Sequence, residues 1–100
     1  MDKREALKKA TRYINGIESI VRLKRAYVFG SHVAGNAREE SDIDVGIIVE
    51  GLDDEYFTVL KNLYRARRDI DSRIEPHLFI LGRPSSGFLE TVEKEGERIF

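Results

Sequence analysis

The sequence has no cysteine, no tryptophan, only two prolines and one methionine, and no excess of either charge: 17 Lys and Arg stand against 18 Asp and Glu. Each absence narrows the field. Without cysteine there are no disulfides and no thiolate metal sites, as expected in a reducing compartment. Two histidines and no cysteine leave a zinc site short of ligands. A formal net charge of −1 argues against an extensive nucleic-acid surface. No apolar run approaches the roughly 18 residues of a membrane span. The charged start, Met1-Asp2-Lys3-Arg4-Glu5, leads into no signal-peptide core. The expectation is a cytoplasmic chain without membrane contact, with one domain over residues 1–100.

What is present alternates along the chain. Leu7, Ala10, Ile14, Ile17 and Val21 step by three and four, the stripe of an amphipathic helix, with Gly16 as a weak point inside it. Residues 25 to 29 read as a short buried strand closed by Gly30, and residues 43 to 50 as a second strand. A helix is expected from about Asp53, a capping residue, with Tyr56, Phe57, Leu60, Leu63 and Tyr64 on one face. Ile74, Leu78 and Ile80 alternate as a third strand does. A last helix spans residues 86 to 94, with Gly96 at its end. This mixture of helices and strands along the chain predicts an α/β fold.

Ser41-Asp42-Ile43-Asp44 places two carboxylates at the start of the second strand. In an extended strand Asp42 and Asp44 project from one side, about 6.6 Å apart, while Ile43, Val45, Ile47 and Val49 fill the other. Carboxylates that close repel unless a cation lies between them. Magnesium suits the pair, because it takes carboxylate oxygens together with substrate phosphates. Taken alone, an Asp-x-Asp is as readily a solvated strand start that discourages edge pairing.

Gly30-Ser31 lies at the end of the first strand. A glycine there lets a phosphate approach the backbone, and Ser31 can cap a short helical turn whose free N–H groups favour an anion. Alone, the pair reads as an ordinary turn. Gly30 to Gly35 also imitates the opening of a P-loop, but Asn36-Ala37 stand where that motif needs Lys and Ser or Thr, so a P-loop is excluded.

Together, Gly30-Ser31, ten residues and Asp42-Ile43-Asp44 spell GS-x10-DxD within FGSHVAGNAREESDIDVGIIV. In a strand–loop–strand context this resembles the signature of the DNA polymerase β-type nucleotidyltransferase superfamily, and the chain resembles its smallest members, the minimal nucleotidyltransferases. The resemblance runs from the leading helix to the terminal EKEGERIF. It implies an α/β (α+β) nucleotidyltransferase fold, a small mixed sheet with helices packed against it. Geometry agrees. For Gly30 and Asp42 to share a site, the first two strands must be antiparallel, and the helix between the second and third makes those two parallel.

The resemblance also implies chemistry. Asp42 and Asp44 would hold two Mg2+ ions (Mn2+ as an alternative), while Gly30 and Ser31 hold the phosphates of ATP or another nucleoside triphosphate. A third carboxylate is expected on the next strand, where DIDSRIEPHLFIL offers Asp71 and Glu75. Glu75, flanked by Ile74 and Pro76 within the strand, is preferred as catalytic acid and metal ligand; Asp71 at the strand entrance reads as a solvated cap. Pro76 places that strand at an edge or a bulge. Relatives often carry arginine after Gly-Ser, where this chain has His32, so Arg38 in the same loop would supply phosphate charge. His77 reads as a partly buried strand residue. The expected reaction is transfer of AMP to a hydroxyl of a small helical HEPN-type partner, as in a toxin–antitoxin pair, because the chain leaves no room for an acceptor-binding domain. The alternative is a binding module that neutralises the partner by contact. The short chain and its tyrosines allow a homodimer.

Overall fold

Asp2 opens the first element by accepting a hydrogen bond from the Glu5 amide (2.8 Å), which satisfies one of the orphan donors of α1, Lys3–Gly16. The computed structural model describes residues 1–100. α1 buries Ala6, Ala10, Tyr13 and Ile14. It is shorter than the apolar stripe: Gly16 is its last residue, Ile17 its C-cap, and Val21 is buried from the turn beyond. Gly16 therefore ends the helix and is not a weak point within it.

The chain continues as β1 (Leu23–Phe29), α2 (Ser31–Ala34), β2 (Ile43–Val49), α3 (Tyr56–Ala66), a 3-10 turn (Arg67–Asp69), β3 (Ile74–Ile80), α4 (Phe88–Glu95) and β4 (Glu97–Arg98). The sheet order is β3-β2-β1-β4. β1 runs antiparallel to β2 and β4, and β2 runs parallel to β3, as the site argument required. β3 is an edge strand, so the missing N–H of Pro76 is accommodated there. No helix is long and apolar enough to cross a membrane.

Both faces of the sheet are covered. Ile43, Val45, Ile47 and Val49 pack with Ala10 and Ile14 of α1 and Val59 and Leu63 of α3. On the other face Tyr27, Ile48 and Phe79 pack with Leu89 and Val92 of α4. This explains why a buried strand tolerates acids at its entrance. Two carboxylates one strand repeat apart, about 6.6 Å, repel by roughly 2.5 kcal/mol at an effective dielectric of about 20. Each of four fully buried aliphatic side chains stabilises by roughly 1.5–3 kcal/mol. Burial wins.

Three helix expectations are corrected. α3 begins at Tyr56, not near Asp53, because Glu55 is its cap and accepts from the Thr58 amide (3.0 Å); Asp53 pairs instead with Arg22 (2.9 Å). Phe57 is 71% exposed, and Val59 with Leu63 forms the buried face. At about 100° per residue Phe57 lies roughly 200° around the helix from Val59, on the side away from the buried stripe. α4 begins at Phe88 because Ser86 and Gly87, at φ 55° and 81°, are left-handed and cannot join its first turn.

Candidate active site

Gly30 leaves β1 at φ 79°, ψ −150°, a conformation essentially restricted to glycine. Its missing side chain matters as much as its dihedrals: a Cβ there would collide with Oδ2 of Asp44. The turn of α2 follows directly. Val33 and Ala34 donate to the Gly30 carbonyl, while the amides of Ser31 and His32 have no intramolecular acceptor. Ser31 is the first residue of this turn and not its cap; the cap position is Gly30, which has no side chain to offer. Beside it a groove of about 560 Å³ is lined by Gly30, Ser31, Val33, Ala34, Asn36 and Glu95.

Asp44 lies opposite Phe29 on β1 and opposite Glu75 on β3, so the sheet places it between the glycine turn and the expected third acid. Its Oδ1 is bonded to Nε2 of His77 (3.0 Å), and its Oδ2 faces Gly30. Asp42 is exposed just before β2 and pairs with no cation. Glu75 shares the Asp44 face, but its carboxylate accepts from the Tyr64 hydroxyl (2.7 Å) and lies 3.7 Å from Arg67. Tyr64 is held above its ordinary pKa, chiefly by that hydrogen bond, then by burial, with the charge of Asp42 contributing. Asp42, Asp44, Glu75 and Gly30 are thus neighbours at one end of the sheet.

These are hard oxygen donors of the kind magnesium or manganese takes, and both the free Oδ2 of Asp44 and the unpaired Asp42 fit such an ion. As the side chains stand, no three of His, Asp and Glu gather closely enough to hold one. The Glu75 carboxylate is engaged on the α3 side, by the Tyr64 hydroxyl and Arg67.

Asp71 is no solvated cap. Its side chain is 10% exposed, receives two hydrogen bonds from the Arg73 guanidinium (2.7 and 2.9 Å) and one from Lys9 (2.8 Å). Those partners, Arg73 first, hold its carboxyl well below the usual range. Committed to that network, Asp71 serves the fold. His32, in α2, is buried, with Nε2 facing the Ser41 carbonyl at 3.4 Å. Arg38 is exposed, and its backbone alone is engaged: the amide donates to the Ser41 hydroxyl (2.7 Å) and the carbonyl accepts from the Ser41 amide (3.1 Å).

His77, Tyr64 and Arg67 are the members that sequence reasoning missed. His77 packs edge-on against Phe29 and Phe88, with ring centroids 4.9 and 5.8 Å away, which holds its Nε2 on Asp44. Its parity with Glu75 on one strand was the available signal. The largest concavity of the molecule, about 710 Å³ along α1, contains none of these acids and does not bear on the site.

A glycine turn against a strand-leading acid pair, with a carboxylate on the neighbouring parallel strand, defines a class. The chain belongs to the polymerase beta nucleotidyltransferase family, whose pattern covers residues 11–100. Its fold is similar to that of a candidate nucleotidyltransferase of Sulfolobus solfataricus (TM-score 0.62, 18% identity, 97% of this chain and 79% of that one). It is also similar to a chain of a toxin–antitoxin complex with AMP-PNP (0.62, 22% identity, 91% and 72%). A MntA–HpeT toxin–antitoxin mutant with two Asp-to-Glu changes is close to the same level (0.60, 20%, 91% and 72%). No curated protein matches the sequence.

Proposed function

We propose that this nucleotidyltransferase moves a nucleoside monophosphate, AMP from ATP, onto a hydroxyl of a partner protein of the HEPN type, and that the two form a cytoplasmic toxin–antitoxin pair. The observation that carries the transferase reading is the close approach of Gly30 to Asp44, which only glycine permits and which leaves Oδ2 facing the phosphate cradle. The partner and nucleotide are supported by the similar complexes, one of them described with AMP-PNP.

Asp42 and Asp44, with Glu75 once released from Tyr64, would hold Mg2+ or Mn2+. Bound there, the ions supply charge neutralisation for pyrophosphate and acidify the acceptor hydroxyl. The chain's own groups do the rest. The Ser31 and His32 amides and the Ser31 hydroxyl hold phosphate oxygens, with Arg38 near enough in sequence to add charge. Glu75 takes the proton of the hydroxyl as its oxygen bonds to the α-phosphorus and the bond to pyrophosphate breaks. His77 keeps the Asp44 carboxylate in place throughout.

Co-expression with a neighbouring HEPN-type protein tests this reading by intact-mass spectrometry. The partner should gain the mass of one or more AMP units, and Asp44→Asn should still bind the partner without modifying it. The engagement of Glu75 by Tyr64 and Arg67 favours a second reading, a module that neutralises its partner by contact. A stable complex whose partner stays unmodified with ATP and Mg2+ present would establish that one instead.

A further inference from the structure

A groove of about 600 Å³ runs along the last turns of α3 and the 3-10 turn, lined by Lys61, Tyr64, Arg65, Arg67, Arg68 and Ser72. Four of the six are cations and none is an acid. Lys61, Arg65 and Arg68 are exposed and follow one another by four and three residues, so they share one side. None has a carboxylate within ion-pair distance, whereas Lys3, Lys9, Arg22, Lys24, Arg25 and Arg73 all do. Like charges at this spacing repel mildly, so the fold maintains a positive strip at a small cost.

The groove opens onto the site. Tyr64 and Arg67, two of its walls, are the residues that touch Glu75. Across the sheet the order is Phe29 on β1, Asp44 on β2 and Glu75 on β3, so the Gly30–Ser31 turn after β1 and the basic groove beyond β3 flank Asp44 from opposite sides. In an in-line displacement the attacking and leaving oxygens also stand on opposite sides of the phosphorus. With the glycine turn taking the leaving pyrophosphate, the acceptor enters past Glu75.

We propose that the α3 groove binds an acidic segment of the acceptor protein, in which carboxylates flank the hydroxyl to be modified. This rests on the transferase reading above. A protein segment is favoured over nucleic acid because the strip is short and the chain's pI is about 6.1, while nucleic-acid-binding domains carry a broad cationic footprint with pI above about 9. Arg67 lies over the Tyr64 ring at 4.9 Å, which holds that guanidinium at the groove's inner end.

The test uses three fluorescent probes on the intact chain: a peptide with tyrosine flanked by glutamates, the same peptide with lysines, and a short single-stranded RNA. Anisotropy reads binding, and calorimetry separately reads Mg2+-dependent ATP binding. The acidic peptide should bind about tenfold or more tighter than the basic one, the scale of a few exposed ion pairs. Reversing the strip with Lys61→Glu, Arg65→Glu and Arg68→Glu should remove that preference and leave ATP binding unchanged. Reversing the unpaired cations of α1 with Arg4→Glu, Lys8→Glu and Arg12→Glu should change neither. If the charge-reversed strip impairs folding, Lys61→Gln, Arg65→Gln and Arg68→Gln give the same comparison. Failure of the acidic peptide to bind, indifference to peptide charge, or tighter binding of the RNA would overturn the proposal. Loss of ATP binding by the wild type would instead sink the transferase reading.

Discussion

Replacing Gly30 by alanine tests the geometry on which the site depends. The backbone at φ 79°, ψ −150° lies in a region that costs a side-chain-bearing residue about 1–3 kcal/mol. The new methyl also meets Oδ2 of Asp44, so that carboxylate must swing away. Swinging breaks the 3.0 Å bond to His77, a net loss of roughly 0.5–1.5 kcal/mol. The sum is about 1.5–4.5 kcal/mol, which at roughly 4–8 °C per kcal/mol lowers the melting temperature by at least about 6 °C. Gly35→Ala is the control. Gly35 is left-handed too (φ 87°), but a Cβ there meets nothing within 4 Å, so only the backbone cost of about 1–2 kcal/mol applies. Thermal melts by circular dichroism and ATP calorimetry with Mg2+ read both variants. Gly30→Ala should lose nucleotide binding as well as stability, and Gly35→Ala should keep the binding. A Gly30→Ala protein melting within about 2 °C of wild type, with ATP binding intact, would refute the close-approach argument.

Other perturbations separate the acids. Asp42→Asn and Asp44→Asn should each abolish metal-dependent ATP binding in calorimetry; equal, metal-independent binding by wild type and both variants would exclude the carboxylates as ligands. Glu75→Gln should stop transfer while ATP still binds, and Asp71→Asn should still transfer; reversed phenotypes would make Asp71 the third acid. Asp71 has a depressed pKa when folded, so its contribution to stability is present above the ordinary carboxylate value, about 4, and is lost as pH falls through the folded value. The stability gap between wild type and Asp71→Asn should therefore be full at neutral pH and close in acid, which melts across a pH series will show. His77→Phe keeps ring packing against Phe29 and Phe88 but removes the bond to Asp44; Mn2+ affinity by electron paramagnetic resonance should fall about 10-fold or more, with the melting temperature lower by about 2 °C or more for the lost bond.

Much of the fold could be read from local pattern. The alternation of Ile43, Val45, Ile47 and Val49, the glycine after β1 and the proline in β3 each reflect a backbone constraint within a few residues. Their consequences, an antiparallel first pair and a parallel edge strand, appear in the sheet. The helix limits were less legible, because amphipathic spacing persists beyond the point where hydrogen bonding stops. The stripe through Ile17 and Val21 crosses the end of α1, and Phe57 matched an apolar pattern yet faces solvent.

Within the site, the spacing from Gly30-Ser31 to Asp42 and Asp44 is a property of one continuous segment, so sequence alone determined that a glycine turn and two acids would meet. The choice between Asp71 and Glu75 was of another kind. Both have the right parity, and the difference lies in which distant groups reach them. Lys9, 62 residues away in the chain, and the neighbouring Arg73 bind Asp71, while the parallel register sets Glu75 beside Asp44. The hold of His77 on Asp44, the burial of His32 and the Tyr64 bond to Glu75 likewise arise only when separate strands and helices pack. Backbone sterics and periodicity act over short stretches and can be read along the chain. Charge pairing acts through space, so tertiary structure alone decided which partners each carboxylate meets.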